Sequence, residues 1–224
     1  MMPAYQILLN GGPVMWPLLL CSIAVGTVVI ERAMFWIDLE RKRNRKLMDE
    51  VLVLAESGHW ALIKKKTTGC EDHVIRLLAV GIVHRDYDMG KAMEAEADRM
   101  FQRMSRFMPV LDTMITIAPL LGIFGTVLGI ISSFKMLGSG SGGMADPKLV
   151  TGGIAQALIT TAAGLAISII AVVPYNFFNT KISRAVHVME KYGSSLEVVF
   201  KKLEKYQGDK GQEAPPPLAT KHNE

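Results

Sequence analysis

The sequence predicts an all-α integral membrane protein with three transmembrane helices and an extended cytoplasmic helical bundle. Three observations carry this. Val14–Ile30, Val110–Phe134 and Gly152–Phe178 are apolar runs at or near the ~20 residues that a spanning helix needs. Lys and Arg cluster beside these runs and always on the same side of them. Between the first and second runs, apolar residues recur at helical spacing. Half of the 224 residues are hydrophobic, the mean hydropathy is +0.25 and the formal net charge is +4. That is too apolar for an ordinary soluble domain and too charged in its middle for a chain sunk wholly in lipid.

Residues 1–13 carry no charge and are expected as a short extracytoplasmic segment. The first span, 14–38, opens VMWPLLLCSIAVGTVVI, passes Glu31 and Arg32, and ends in apolar residues with Trp36 suited to an interface. A cleaved signal peptide has its positive charge before the apolar run. Here nothing charged precedes Glu31, and Arg41, Lys42, Arg43, Arg45 and Lys46 follow, so the segment is expected to stay with its C-terminal end in the cytoplasm.

Residues 39–108 form the expected cytoplasmic helical domain. Leu47, Met48, Val51, Leu52 and Ala55 share one helical face, stopped by Ser57-Gly58; Val74, Leu77, Leu78, Gly81 and Ile82 share a second. Met93, Ala97, Met100, Phe101, Met104, Phe107 and Met108 make a third, aimed straight at the second span, with the methionines as core filler. The second span covers 109–134, a Gly/Ser-rich extracytoplasmic loop 135–151, and the third span 152–178. Lys181, Arg184, His187 and Lys191 then mark the inner side of a cytoplasmic helix, 179–207. The tail 208–224 has Pro, Gly and charge without apolar period and is expected to be disordered. The topology is N-terminus outside and C-terminus inside.

Several chemistries are set aside on the same residues. Cys21 lies in a span and Cys70 in a charged region, so no disulfide framework is expected. His59, His73, His84, His187 and His222 make no close pair and join no Cys/His cluster, so no metal site is expected. Nucleophile-elbow, P-loop and zinc-protease motifs are missing, and the reading is of a non-enzyme without a cofactor. Glu94, Glu96 and Asp98 read as a solvated helix face. Lys64–Lys66 and the Arg41–Lys46 cluster read as lipid-headgroup contacts that fix topology, with a regulator docking site as the alternative. Glu31 and Arg32 are expected to pair with each other or to bind lipid. The basic charge hugs apolar segments, which excludes nucleic acid as the favoured partner.

The informative pattern is a polar stripe on each of the last two spans. Gly122, Thr126, Gly129 and Ser133 recur at helical steps on one, and Gly153, Ala157, Thr161, Gly164 and Ser168 on the other. Small residues let helices approach closely in lipid, and hydroxyls bond across to a neighbour. Counting ~1.5 Å per residue from the middle of each span puts Thr126 and Thr161 at the same level, roughly 5–6 Å to the outer side of the midplane. A ring of such subunits would carry a hydroxyl belt. Hydroxyls do not titrate at neutral pH, and neither span has an acid near its middle; Asp112 sits at the inner edge. A titrating group for proton transfer must therefore come from another chain.

At this level of detail the residues match a family. APLLGIFGTVLGIISSF with GGIAQALITTAAGLAISIIAVVPYNFF, and the opening GGPVMWPLLL…IERAMFW, resemble the ExbB/TolQ/MotA proton-channel family over residues 10–200, with three spans favouring the ExbB/TolQ branch over a four-span MotA-like stator. The resemblance implies a bacterial inner-membrane pentamer around partner helices of the ExbD/TolR type, whose intramembrane Asp picks up and releases protons. It also implies a TonB- or TolA-type protein further along and mechanical work on the cell envelope. Thr126 in FGTV and Thr161 in LITTAAGL match the two pore threonines of the family. Where many members have Glu, this chain has Gln156 in GIAQAL, expected at the outer mouth of the pore; an amide there cannot relay protons. The expected transported ion is H⁺, with Na⁺ as the alternative. A non-conducting scaffold and a solute permease are the rival classes, the latter lacking recognition groups near the midplane.

Overall fold

The computed structural model describes residues 12–138 and 147–212, with side chains through Lys135 and from Thr151 to Lys205. The described residues form seven helices: α1 Met15–Arg41, α2 Arg45–Glu56, α3 Trp60–Thr67, α4 His73–Val83, α5 Met89–Ser105, α6 Met108–Gly138 and α7 Pro147–Gln212. Three of them, α1, α6 and α7, are long and apolar enough to cross a membrane. The all-helical architecture with three candidate spans agrees with the sequence reading. The chain divides into a spanning unit, Met1–Asp38 with Met104–Ser183, and a second helical unit, Leu39–Arg103 with Arg184–Glu224.

In the spanning unit, Val14, Met15 and Leu18 of α1 pack on Ala118 of α6, with Leu121, Ala163 and Ile167 around them. Only 28, 22 and 22% of the most apolar windows of α1, α6 and α7 are buried. The remaining surface must face lipid or other chains, because apolar side chains in those numbers are not stable in water. Pro119 and Pro174 lie inside α6 and α7 without ending them, as is common in spanning helices.

Two boundaries differ from the sequence reading. The methionine-lined helix does not run straight into the second span: α5 ends at Ser105 and α6 begins at Met108. Pro109 has no N–H and its ring crowds the preceding turn, which breaks the ladder there. The expected third span and the expected helix 179–207 form one unbroken helix, and α7 continues to Gln212, past the expected start of the tail at 208. Nothing between Phe178 and Gln212 carries a helix-breaking Pro, and the basic residues after the span extend the helix. The rest of the tail, 213–224, the middle of the loop between α6 and α7, 139–146, and residues 1–11 lie outside the described residues.

The second unit is built around Met48, Val51, Ile63, Ile75, Leu78, Met93 and Leu196, all fully or almost fully buried. The three apolar faces read from the sequence supply most of this core. Asn44 caps α2, its side chain accepting from the Leu47 N–H, and Gly58 at φ +69° ends the helix as a left-handed stop. Asp72 caps α4 by accepting from the N–H groups of Val74 and Ile75, and its other oxygen accepts from the Asn44 N–H at 2.8 Å. One carboxylate thus fixes the starts of two helices. Tyr192 of α7 donates to Asp49 of α2 at 2.6 Å.

Glu96 corrects the solvated-face reading. It is 3% exposed, held by Arg76 at 2.7 Å and by Arg99 at 2.8 Å, because two guanidinium groups offset the cost of burying its charge. Glu94 and Asp98 are exposed as expected. The three lysines Lys64–Lys66 close the last turn of α3, a helix the sequence reading left unassigned; cations there complement the helix dipole.

Candidate functional site

The glycines of the polar stripes are where α6 and α7 touch backbone to backbone. A Cβ on Gly164 would stand 2.4 Å from the Ala118 carbonyl oxygen and 3.2 Å from the Gly122 Cα. A Cβ on Gly129 would meet Ala157 at 2.8 Å and the Gly153 carbonyl at 3.0 Å, and one on Gly153 would fall 2.2 Å from the Ser133 hydroxyl. None of these positions has room for a side chain, so the stripe fixes the approach of the two helices.

That closeness brings the hydroxyls together. Thr161 Oγ1 donates across the interface to the Gly122 carbonyl at 2.9 Å and lies 3.3 Å from Thr126 Oγ1. Thr126 in turn donates to the Ile123 carbonyl at 2.6 Å. Ser168 donates to the Ile115 carbonyl of the facing helix at 2.8 Å, and buried Ser133 to its own Gly129 carbonyl at 2.9 Å. Each hydroxyl has one hydrogen and two lone pairs. With the hydrogens of Thr126 and Thr161 directed at carbonyls, the pair has acceptor capacity left, on side chains that are only half-buried. Between Thr113 and Phe134, and between Gly152 and Phe178, the chain has no Asp, Glu, Lys, Arg or His. The pair can accept a hydrogen bond but cannot store a proton.

The structure places Gln156 differently from the threonines. Five positions separate it from Thr161, about 140° around a helix. Its amide lies over Gly12 at the start of α1: a Cβ there would meet Gln156 Nε2 at 2.2 Å, and Gly12 itself holds φ +72°. Gln156 therefore heads the stripe of α7 that turns to α1, together with Ala163 and Ile167. Among the described residues no group of three His, Cys, Asp or Glu side chains could hold a metal ion.

Two contributors were missed from sequence. Thr160 is 1% exposed, donates to the Ala157 carbonyl at 2.7 Å and fills the space over Gly125, where a Cβ would meet its Oγ1 at 2.4 Å. The Thr160-Thr161 doublet and a glycine three places after Gly122 were the available signals. The other is Arg32, expected as a partner of Glu31 or of lipid. It is 2% exposed and binds Glu31 at 2.6 Å, but it also donates to the Met104 carbonyl at 3.0 Å, with its guanidinium centre 4.6 Å from the Phe35 ring and 5.2 Å from Phe107.

Comparison with known proteins agrees with this picture. Residues 71–191, which contain Thr126, Thr161 and Gln156, match the model of the MotA/TolQ/ExbB proton channel family. The ExbB-like 1 protein of Synechocystis sp. is 36% identical over 205 residues, covering 87% of this chain and 78% of its own length. The ExbB-like 3 protein of the same organism is 31% identical over 198 residues, 86% of this chain and 93% of the relative. The Tol-Pal system protein TolQ of Haemophilus influenzae is 35% identical over 108 residues, 48% of this chain and 45% of the relative.

Proposed function

The chain belongs to the MotA/TolQ/ExbB proton channel family, in its ExbB/TolQ branch, and from that premise we propose that it is the housing subunit of an ion-driven inner-membrane motor. The subunit forms a homo-oligomeric ring, a pentamer by analogy with the family, around single-span partner helices of the ExbD/TolR type. A partner Asp carries the proton. The N-terminus faces the periplasm and the C-terminus the cytoplasm, and the subunit catalyses no covalent chemistry and needs no cofactor.

One observation supports this above others: the half-buried Thr126–Thr161 pair sits within Thr113–Phe134 and Gly152–Phe178, which hold no Asp, Glu, Lys, Arg or His, its hydrogens turned to backbone carbonyls. A protonated carboxyl on a partner helix can donate to such a pair. A deprotonated one needs a donor, and obtains it only if a threonine rotates away from its carbonyl. The two protonation states of the partner therefore demand different hydroxyl arrangements, which is the differential interaction a coupled motion requires. One charge crossing 100 mV supplies ~2.3 kcal/mol, so a few ions per step cover the rearrangement of several hydrogen bonds at ~1 kcal/mol each.

The envelope process driven, whether TonB-type uptake or Tol-Pal function, follows from the partner. The test is purification in mild detergent, identification of a co-purifying single-span protein with an intramembrane Asp, and proton uptake by proteoliposomes with and without it. Uptake only with the partner is expected. Normal conduction by this chain alone refutes the housing role, and no conduction with the partner favours a passive scaffold.

A further inference from the structure

The second helical unit has a groove of about 490 Å³ between α5 and α7, floored by Leu77 of α4 and by Met93 and Met189. Four carboxylates line it, Glu94, Asp98, Glu190 and Glu197, and no Lys, Arg or His does. Of these, only Glu190 has an ion-pair partner among the described residues, an exposed histidine 3.9 Å away. Phe101 is 46% exposed at the rim. In a chain of net charge +4 this is a local reversal of sign over an apolar floor.

The complementary surface is on the same unit. The exposed face of α3 is centred on Lys65, with Leu62, 40% exposed, about 60° to one side and Lys64 about 100° to the other; Lys64 and Lys65 form no ion pair among the described residues, while Lys66 is held by Glu50. Helix α3 borders a separate cleft whose α4 lining is Ala79, Ile82 and Val83. At 100° per residue these stand 140–240° around α4 from Leu77. The acidic groove and the basic helix thus lie on opposite faces of α4, and one copy's α3 cannot enter its own groove.

We propose that the groove receives α3 of a second copy of this chain, Lys65 entering between the carboxylates, with Leu62 against the apolar lining on one side and Lys64 at the opposite rim. The dimensions agree: α3 has eight residues, ~12 Å, and the groove runs from Gly90 to Phe101 along α5 and from Val186 to Glu197 along α7, ~16 Å each. The two surfaces differ and do not overlap, so the contact is heterologous, and heterologous contacts close into rings when the rotation per copy permits. An anionic lipid headgroup is excluded from the groove by its four carboxylates. The proposal depends on the oligomeric reading above and assigns the surface by which neighbouring copies join outside the spans.

The test uses the full chain in native membranes, in a background of Cys21→Ala and Cys70→Ser. Leu62→Cys and Ser194→Cys, on α3 and at the groove, are treated with a short bismaleimide. A ladder of linked copies is expected, and neither single cysteine gives one. Lys64→Glu with Lys65→Glu should abolish the ladder, and adding Glu94→Lys with Asp98→Lys to the same chain should restore it. No ladder in the unreversed chain, a ladder indifferent to charge, failure of the fourfold exchange to restore it, or linkage to a different polypeptide overturns the proposal. Native mass of the detergent complex reports copy number independently, so a ring joined through the spans alone is told apart from the absence of a ring.

Discussion

Thr161 of α7 donates its hydroxyl hydrogen to the Gly122 carbonyl of α6 at 2.9 Å while its oxygen faces Thr126 at 3.3 Å. The same atom therefore joins two helices and leaves its lone pairs to a visiting donor. Thr161→Val keeps the volume and removes the hydroxyl. One hydrogen bond between half-buried groups is worth ~1 kcal/mol, so the complex should still assemble and its detergent melting should fall only slightly. Energised proton uptake should be lost, and Thr161→Ser should retain most of it. Full uptake by the valine variant would remove the threonine pair from the ion pathway.

Glycine positions separate packing from chemistry. Gly164→Ala drives a methyl into the Ala118 carbonyl at 2.4 Å, a backbone atom that cannot swing aside. Overpacking of this kind costs ~1–3 kcal/mol and should lower the detergent melting temperature and weaken assembly. Gly26→Ala on α1 meets nothing within 4 Å and should be neutral or slightly stabilising. Equal melting of the two variants would mean that α6 and α7 are not packed through Gly164.

The apolar runs made the spans legible because length and composition alone decide what can cross a bilayer. The stripes made the α6–α7 contact legible because only Gly, Ala, Ser and Thr permit that approach. Helix ends were less readable: the break before Pro109 depends on a missing N–H, and the running of α7 past residue 208 depends on nothing stopping it. Gln156 was placed by its depth in the bilayer, which fixes level but not azimuth, and its 140° offset from Thr161 carries it towards Gly12. Burial of Glu96 and Arg32 was not legible, since each is charged and finds its partners only through tertiary packing.

Arg32 supplies a third prediction. Its guanidinium meets the Met104 carbonyl, which the break before Pro109 leaves open, and stacks on Phe35 and Phe107. Arg32→Met keeps the length but removes the donors, at about 2 kcal/mol for a hydrogen bond to a charged group. Arg32→Lys keeps the charge and loses the planar stack, so it should recover only part of the loss. Tryptic cleavage after exposed Arg106 should quicken in both variants, more in Met than in Lys. An unchanged cleavage rate in the methionine variant would show that the carbonyl contact contributes nothing.

His73 gives the second unit a pH dependence whose sign is fixed by its surroundings. It opens α4, is 5% exposed, and neither ring nitrogen has a hydrogen-bond partner. Burial holds the imidazole below its ordinary range; Asp72 and Glu40 push it up and Arg43 pushes it down, without reversing the effect of burial. The folded state therefore keeps His73 neutral at a pH where the unfolded chain, titrating near ~6.5, has taken up a proton. Because the unfolded state binds more protons, stability falls as pH drops below that point. A loss of stability as pH falls below about 6.5 is therefore expected on this residue's account. His73→Leu removes the titration and retains the apolar contacts. Denaturant unfolding of the full chain in detergent above and below that pH should show a flatter dependence in the leucine variant than in the parent. The carboxylates titrate in both chains, so the difference between the two slopes isolates the imidazole, and parallel slopes would mean that His73 is protonated in the folded unit.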